Sequence, residues 1–340
     1  MMEETFMSQE TPQRNLALDL ARVTEAAALA SSRWLGKGDK ERGDYAAVEA
    51  MRLSFSAIDI DGVVVIGEGE KDEAPMLYNG EKLGTGNGPE VDVAVDPVEG
   101  TRLLAYGRPN AIAVVALAPR GTLYDPGPAF YMKKMAVPHE AKYQVDIKAP
   151  VAENLRRVAK ALGKSVDDLS VFILDKPRHV KLIKEIREAG ARIQLHTDGD
   201  VAGALMATTP GGEVDMMIGT GGTPEGVLAA VAIRIMGGEM QCMLDPQSDD
   251  ERRAVEENGY NVNRVLTVDD LVRSDDVFFA ATGISGGTFL KGVEFTGKGA
   301  VTHSMVMRGR TGTFRRIEAQ HSFSKLMRIS SIEYNKTDSH

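Results

Sequence analysis

The stretch Asp96-Pro97-Val98-Glu99-Gly100-Thr101 constrains this chain more than any other. It closes an apolar, β-branched run, Val91, Val93 and Val95, that reads as a buried strand with Asp96 at its carboxyl end. Pro97 is expected to stop the strand, and Gly100-Thr101 to open a helix. Asp96 and Glu99 are then aimed at one point, with backbone amides facing whatever binds there. Helix-start amides favour phosphate, and hard carboxylate oxygens favour Mg²⁺ or Mn²⁺. A metal-bound phosphoryl group satisfies both. Taken alone, the six residues fit a strand-to-helix turn with a solvated acidic edge equally well.

Their company decides between the two. Val63 to Ile66 reads as a second buried strand running into Gly67-Glu68-Gly69-Glu70, with Asp72 and Glu73 beyond. A carboxylate at the end of each of two strands is how open α/β sheets build sites. Helical spacing predicts a first helix over 15–35 and a second from Asp44 or Tyr45 to Ser56. Asp39 and Asp44 then lie near the start of the second helix, where a carboxylate either caps or ligates; capping is the preferred role for Asp39. Further strands are expected near 111–118, 130–136 and 141–145.

After Pro150 helices alternate with short apolar strands: helices near 151–163, 178–189, 200–207 and 223–236, strands near 171–174, 193–195, 214–218 and 239–243. Glycine-divided strands fill 277–317. The pattern is an α/β fold in two parts, 1–149 and 150–340, with no repeat and no low-complexity linker. Three loops at predicted strand ends carry polar groups: Lys176-Pro177-Arg178-His179, Asp198-Gly199-Asp200, and Gly219 to Gly226. Lys176 and Arg178 are natural phosphate partners.

With 340 residues and 43% apolar content the chain can bury a large core. It has no apolar run of about 18 residues, so no membrane span is expected. Residues 1–14 lack the layout of a signal peptide and read as a frayed arm. A lone cysteine, Cys242, fits a reducing cytoplasm and excludes an internal disulfide framework. The net charge of −9 disfavours nucleic acid as a partner. The histidines form no H-x-x-x-H or H-E-x-x-H pair, so a zinc hydrolase has little support. His179 is either a substrate residue or a helix-start residue.

With these pieces in place, the chain resembles the class II fructose-1,6-bisphosphatases of the lithium-sensitive, metal-dependent sugar phosphatase superfamily. The resemblance spans about 15–324 and rests on R-V-T-E-A-A-A-L-A (22–30), G-K-G-D-K (36–40), V-I-G-E-G-E-K-D-E-A-P-M-L-Y (65–78), V-D-P-V-E-G-T-R (95–102), K-P-R-H (176–179), D-G-D-V-A (198–202) and G-G-T-P-E-G (221–226). It implies a layered α/β/α/β/α sandwich, a homo-oligomer (dimer or tetramer), and hydrolysis of the 1-phosphate of fructose 1,6-bisphosphate by two or more Mg²⁺ or Mn²⁺ ions. By motif position it implies metal ligands at Asp44, Glu68, Asp96, Glu99 and Glu225 and the carbonyl of Val98. Substrate contacts would come from Glu99, Gly100, Thr101, Tyr131, Lys176, Pro177, Arg178, Asp198, Gly199, Asp200 and Gly222. One departure is Tyr45, where a small residue is expected after Asp44; a phenol there narrows the pocket, shifts the aspartate or points away.

The chemistry expected of such a site is in-line attack by water, with Glu68 holding a metal, Thr101 orienting the water and Asp72 assisting as an outer base. Direct attack by Thr101 is the less favoured route, because an unactivated hydroxyl is a weak nucleophile. Rival readings are sedoheptulose-1,7-bisphosphate as sole or second substrate, an inositol-phosphate or nucleotide phosphatase, and a non-catalytic sugar-phosphate sensor.

Overall fold

The computed structural model describes residues 15–69 and 76–327; the expectations for residues 1–14 and for Asp72 lie outside them. The chain opens with α1 (Ala17–Ser31) and α2 (Lys40–Phe55). There follow β1 (Asp61–Ile66), β2 (Lys82–Leu83), β3 (Glu90–Glu99), α3 (Thr101–Ala105) and β4 (Ile112–Pro119). The middle runs β5 (Tyr131–Val137), α4 (Val151–Leu162), β6 (Ser170–Leu174), α5 (Val180–Glu188), β7 (Arg192–His196) and α6 (Asp200–Thr208). It continues with β8 (Met216–Gly222), α7 (Thr223–Met236), β9 (Glu239–Leu244) and α8 (Asp249–Glu257). The last elements are β10 (Leu266–Thr267), α9 (Val268–Leu271), β11 (Phe278–Gly283), β12 (Glu294–Phe295), β13 (Gly299–Arg308), β14 (Thr313–Ser322) and α10 (Phe323–Leu326).

Two mixed sheets organise these elements. The larger runs β12-β13-β11-β4-β3-β1-β2, with β14 paired to β13; the smaller runs β10-β9-β5-β8-β6-β7. Sheet membership crosses residue 149: β5 belongs to the smaller sheet, and β11 to β14 return to the larger. Leu20, Val23, Met51 and Phe55 of α1 and α2 cover one face of the larger sheet, packing on Val64, Val93, Val115 and Val306. Its other face, including Ile66, Val114 and Phe279, packs on Val201, Leu205, Val227 and Ile233 of α6 and α7. The same two helices pack on Met132, Phe172 and Met240 of the smaller sheet, whose far face meets Leu155, Val158, Ile183 and Ile186 of α4 and α5. The order is α/β/α/β/α. Among the described residues no helix is long and apolar enough to cross a membrane.

Three local expectations change. Helix α2 starts at Lys40, four residues before Asp44, because the Asp39 side chain accepts from the Arg42 amide at 3.0 Å and caps it. Strand β3 does not stop at Pro97 but runs on to Glu99 through a register shift, where a residue without an N–H costs no ladder bond. The strand expected over 141–145 is instead the 3₁₀ turn His139–Ala141 and a bend, since Tyr143 holds φ +65° and the Glu239 carboxylate takes its amide.

Candidate active site

Parallel pairing sets the geometry. β1 and β3 are parallel neighbours, so Gly67-Glu68 and Asp96 to Thr101 leave the same edge of the larger sheet side by side. β6, β7 and β8 are likewise parallel, so Lys176 to Arg178, Asp198 to Asp200 and Gly221 to Glu225 leave one edge of the smaller sheet. Tyr131 pairs with Gly222, which puts the start of antiparallel β5 at that same edge. Between the edges lies a cavity of about 350 Å³ lined by Asp44, Glu68, Asp96, Val98, Glu99, Gly100, Thr101, Asp198, Asp200 and Glu225, among others.

The β3 irregularity explains how Asp96 and Glu99 both reach it. In a regular strand residues three apart point to opposite faces. Here Asp96 pairs with Val114 and Glu99 with Ile112, so three steps on β3 span two on β4. The extra residue turns Glu99 to the side of Asp96. Asp96 Oδ1 accepts from the Val98 amide at 3.1 Å, and Glu99 Oε1 from the Val201 amide at the start of α6 at 3.3 Å. Glu99 Oε2 and Glu225 Oε2 are buried without a hydrogen-bond partner.

All five expected ligand carboxylates hold their protons more tightly than usual. Burial pushes Asp44 up to about 6, with Lys40 opposing and Glu41 adding to the rise. Burial, then Asp44 and Glu225, raise Glu68 to about 8. Asp96 and Glu99 are raised well above the carboxylate range, first by burial, then by Glu68 and Asp200 respectively. Glu225 is raised by burial and Asp200, with Lys134 opposing. A divalent cation among these groups would relieve both the burial penalty and the repulsion. Hard oxygen donors of this kind suit such an ion. No three His, Cys, Asp or Glu side chains among the described residues form a closed ligand set; the carboxylates line a shared cavity.

Of the phosphate and sugar candidates, Glu99, Gly100, Thr101, Asp198 and Asp200 line this cavity, while Tyr131, Lys176, Pro177, Arg178, Gly199 and Gly222 stand outside its lining. Lys176 Nζ lies 3.9 Å from Asp198 Oδ1. Exposed Arg178 donates from Nε to the Thr220 carbonyl at 2.9 Å, with its guanidinium 5.1 Å from the Tyr131 ring centre. Gly222 carries no side chain because a Cβ there would sit 1.8 Å from Glu225 Oε2. Tyr45 is 55% exposed and outside the cavity lining, so it points away.

Two residues near the site were not assigned from sequence. His179 is structural: Nδ1 donates to the Leu174 carbonyl at 2.7 Å and Nε2 accepts from the Thr220 amide at 2.7 Å. Burial keeps its pKa low, which suits the neutral ring that this pair of bonds requires. Lys134, 2% exposed, donates to the Asp200 carboxylate and to the Gly222 carbonyl at 2.7 Å. Its signal is a lysine in phase with Met132 and Ala136 on the buried face of β5.

The family model for bacterial, glpX-encoded fructose-1,6-bisphosphatase matches residues 14–321. The chain belongs to that family. Two relatives among the fructose-1,6-bisphosphatases extend the match. The class 2 enzyme of Haemophilus influenzae is 46% identical over 332 residues, covering 94% of this chain and 99% of its own. Fructose-1,6-bisphosphatase 1 class 2 of Escherichia coli K12 is 47% identical over 321 residues, covering 91% and 95%. Membership makes this chain an enzyme, a metal-dependent phosphatase of the fructose-1,6-bisphosphatase type.

Proposed function

We propose that the cavity hydrolyses the 1-phosphate of fructose 1,6-bisphosphate, in gluconeogenesis, with Asp44, Glu68, Asp96, Glu99, Glu225 and the Val98 carbonyl holding two or more Mg²⁺ or Mn²⁺ ions. The observation that carries this is the convergence of five carboxylates from four separate segments on one cavity, two of them presenting buried oxygens with no hydrogen-bond partner. Such ions, when bound, neutralise phosphoryl oxygens and acidify water.

The chain's own residues do the rest. Thr101, on the cavity wall, orients the attacking water, and Asp72 assists as an outer base. Glu99, Gly100 and Thr101 frame the reacting phosphate. Lys176, Pro177 and Arg178 take the second phosphate, with Tyr131 stacked against the guanidinium. Asp198, Gly199, Asp200 and Gly222 bind the sugar. Energy from the remote phosphate positions the reacting one. The enzyme works as a dimer or tetramer in the cytoplasm, a setting that suits the buried free thiol of Cys242.

The test is phosphate release from fructose 1,6-bisphosphate with Mg²⁺ or Mn²⁺, against EDTA and beside sedoheptulose 1,7-bisphosphate and inositol 1-phosphate. Metal-dependent preference for the first substrate is expected. Preference for the second moves the substrate claim and keeps the chemistry. Binding without release from any of them would return the chain to a sensor's role.

A further inference from the structure

The carboxylates around the cavity oppose one another, and a buried cation is set against them from the inner face of the smaller sheet, the one that packs on α6 and α7. Lys134 sits mid-strand in β5, paired with Gly219 of β8 and Cys242 of β9. Its ammonium has three donors. One goes to Asp200 Oδ2 and one to the Gly222 carbonyl, which belongs to the residue that opens α7. Room for this arrangement depends on Gly221, where a Cβ would lie 1.9 Å from Asp200 Oδ2 and 3.0 Å from Lys134 Nζ.

We infer that Lys134 is a positioning residue for the sugar subsite: it occupies Asp200 Oδ2, leaves Oδ1 for a substrate hydroxyl, and holds Asp200 against the Gly222 carbonyl. This rests on Asp200 being a sugar contact, as proposed above. A buried lysine that merely satisfied a structural carboxylate would bind at any point in the core. This one joins the first residue of α6 to the residue before α7, and both helix starts face the cavity. Burial alone would lower the lysine's pKa; Asp200 and Glu225 outweigh that, so it stays charged.

The experiment is a double-mutant cycle on the full chain with Lys134→Met, Asp200→Asn and the pair. It reads KM and kcat for fructose 1,6-bisphosphate, with direct Mn²⁺ binding by calorimetry. Lys134→Met is expected to raise KM about tenfold or more, with a smaller fall in kcat. The pair should be no worse than the worse single variant, since both act on one contact. Mn²⁺ should bind Lys134→Met at least as tightly as wild type, because a positive charge beside the carboxylates has gone. Packing damage would weaken ion and sugar together.

Fully additive effects on KM, an unchanged KM, or Mn²⁺ binding weakened in step with KM would each overturn the inference. Lys134→Arg, which keeps the charge, should recover most of the KM. If Lys134→Met does not fold, Lys134→Gln keeps one hydrogen bond without the charge, and the same KM and Mn²⁺ criteria apply to it. Wild-type enzyme in the same run separates the two claims. If it released no phosphate, the functional reading would fail, while calorimetric binding of the bisphosphate to wild type and Lys134→Met would still decide the role of Lys134.

Discussion

Asp39 and Asp44 lie little more than one turn apart near the start of α2 and do unlike work. Asp39 caps the helix, so Asp39→Ala should cost about 1 kcal/mol of stability and leave kcat and KM unchanged, as thermal unfolding and kinetics would show. Asp44→Asn should raise the metal concentration needed for half-maximal activity roughly tenfold or more. An unchanged metal dependence would remove Asp44 from the ligand set. Arg178 offers a substrate test: Arg178→Ala should cut kcat/KM for the bisphosphate by roughly tenfold to a hundredfold and spare monophosphates, narrowing the discrimination between them. Equal loss on both would dissociate Arg178 from the second phosphate. At this scale the sequence shows residues whose chemistry is local. Asp39 could be read as a cap from its neighbours alone. Lys134 could not, because its meaning comes from Asp200 and Gly222, which are distant in the chain and meet it only across β5 and β8.

Elements carry a second set of consequences. In α1, Glu25 is 8% exposed against β13, and burial raises it to about 7, opposed by Ser304, Arg22 and Thr302. A carboxyl whose folded pKa lies above its unfolded value near 4.5 stabilises below that value and loses the contribution as pH rises through 7. Glu25→Gln should therefore raise the melting temperature at pH 8 relative to wild type and lose that advantage by pH 5. A shift of the same size at both values would show that packing, not ionisation, governs the position. Strand and helix placement was largely legible, because apolar periodicity follows the chain. The irregularity in β3 was not: Pro97 reads as a stop until β4 is known to pair on both sides of it. The bend at Tyr143 is similar, held by the Glu239 carboxylate about a hundred residues away.

At the scale of the whole molecule, the cavity sets a pH dependence. Asp44 at about 6 and Glu68 at about 8 both exceed their unfolded values, so metal-free protein should lose stability as pH rises from about 4 through 8. Saturating Mg²⁺ or Mn²⁺ should flatten that decline and raise the melting temperature most at the alkaline end. Scans at pH 5 and pH 8, with and without EDTA, would measure it; a metal effect equal at both would place the ions away from these carboxylates. The layered order followed from the resemblance, while the crossing of the two sheets at residue 149 did not follow from periodicity, which carries no information on strand partners. That crossing has a consequence for synthesis. β4 has β3 on one side and β11 on the other, and β11 leaves the ribosome some 160 residues later. The larger sheet thus stays open along β4 while those residues are made. An amino-terminal fragment ending before β11 should be captured by chaperones or aggregate, because its bare strand edge can pair with any neighbour until the tail arrives to close it.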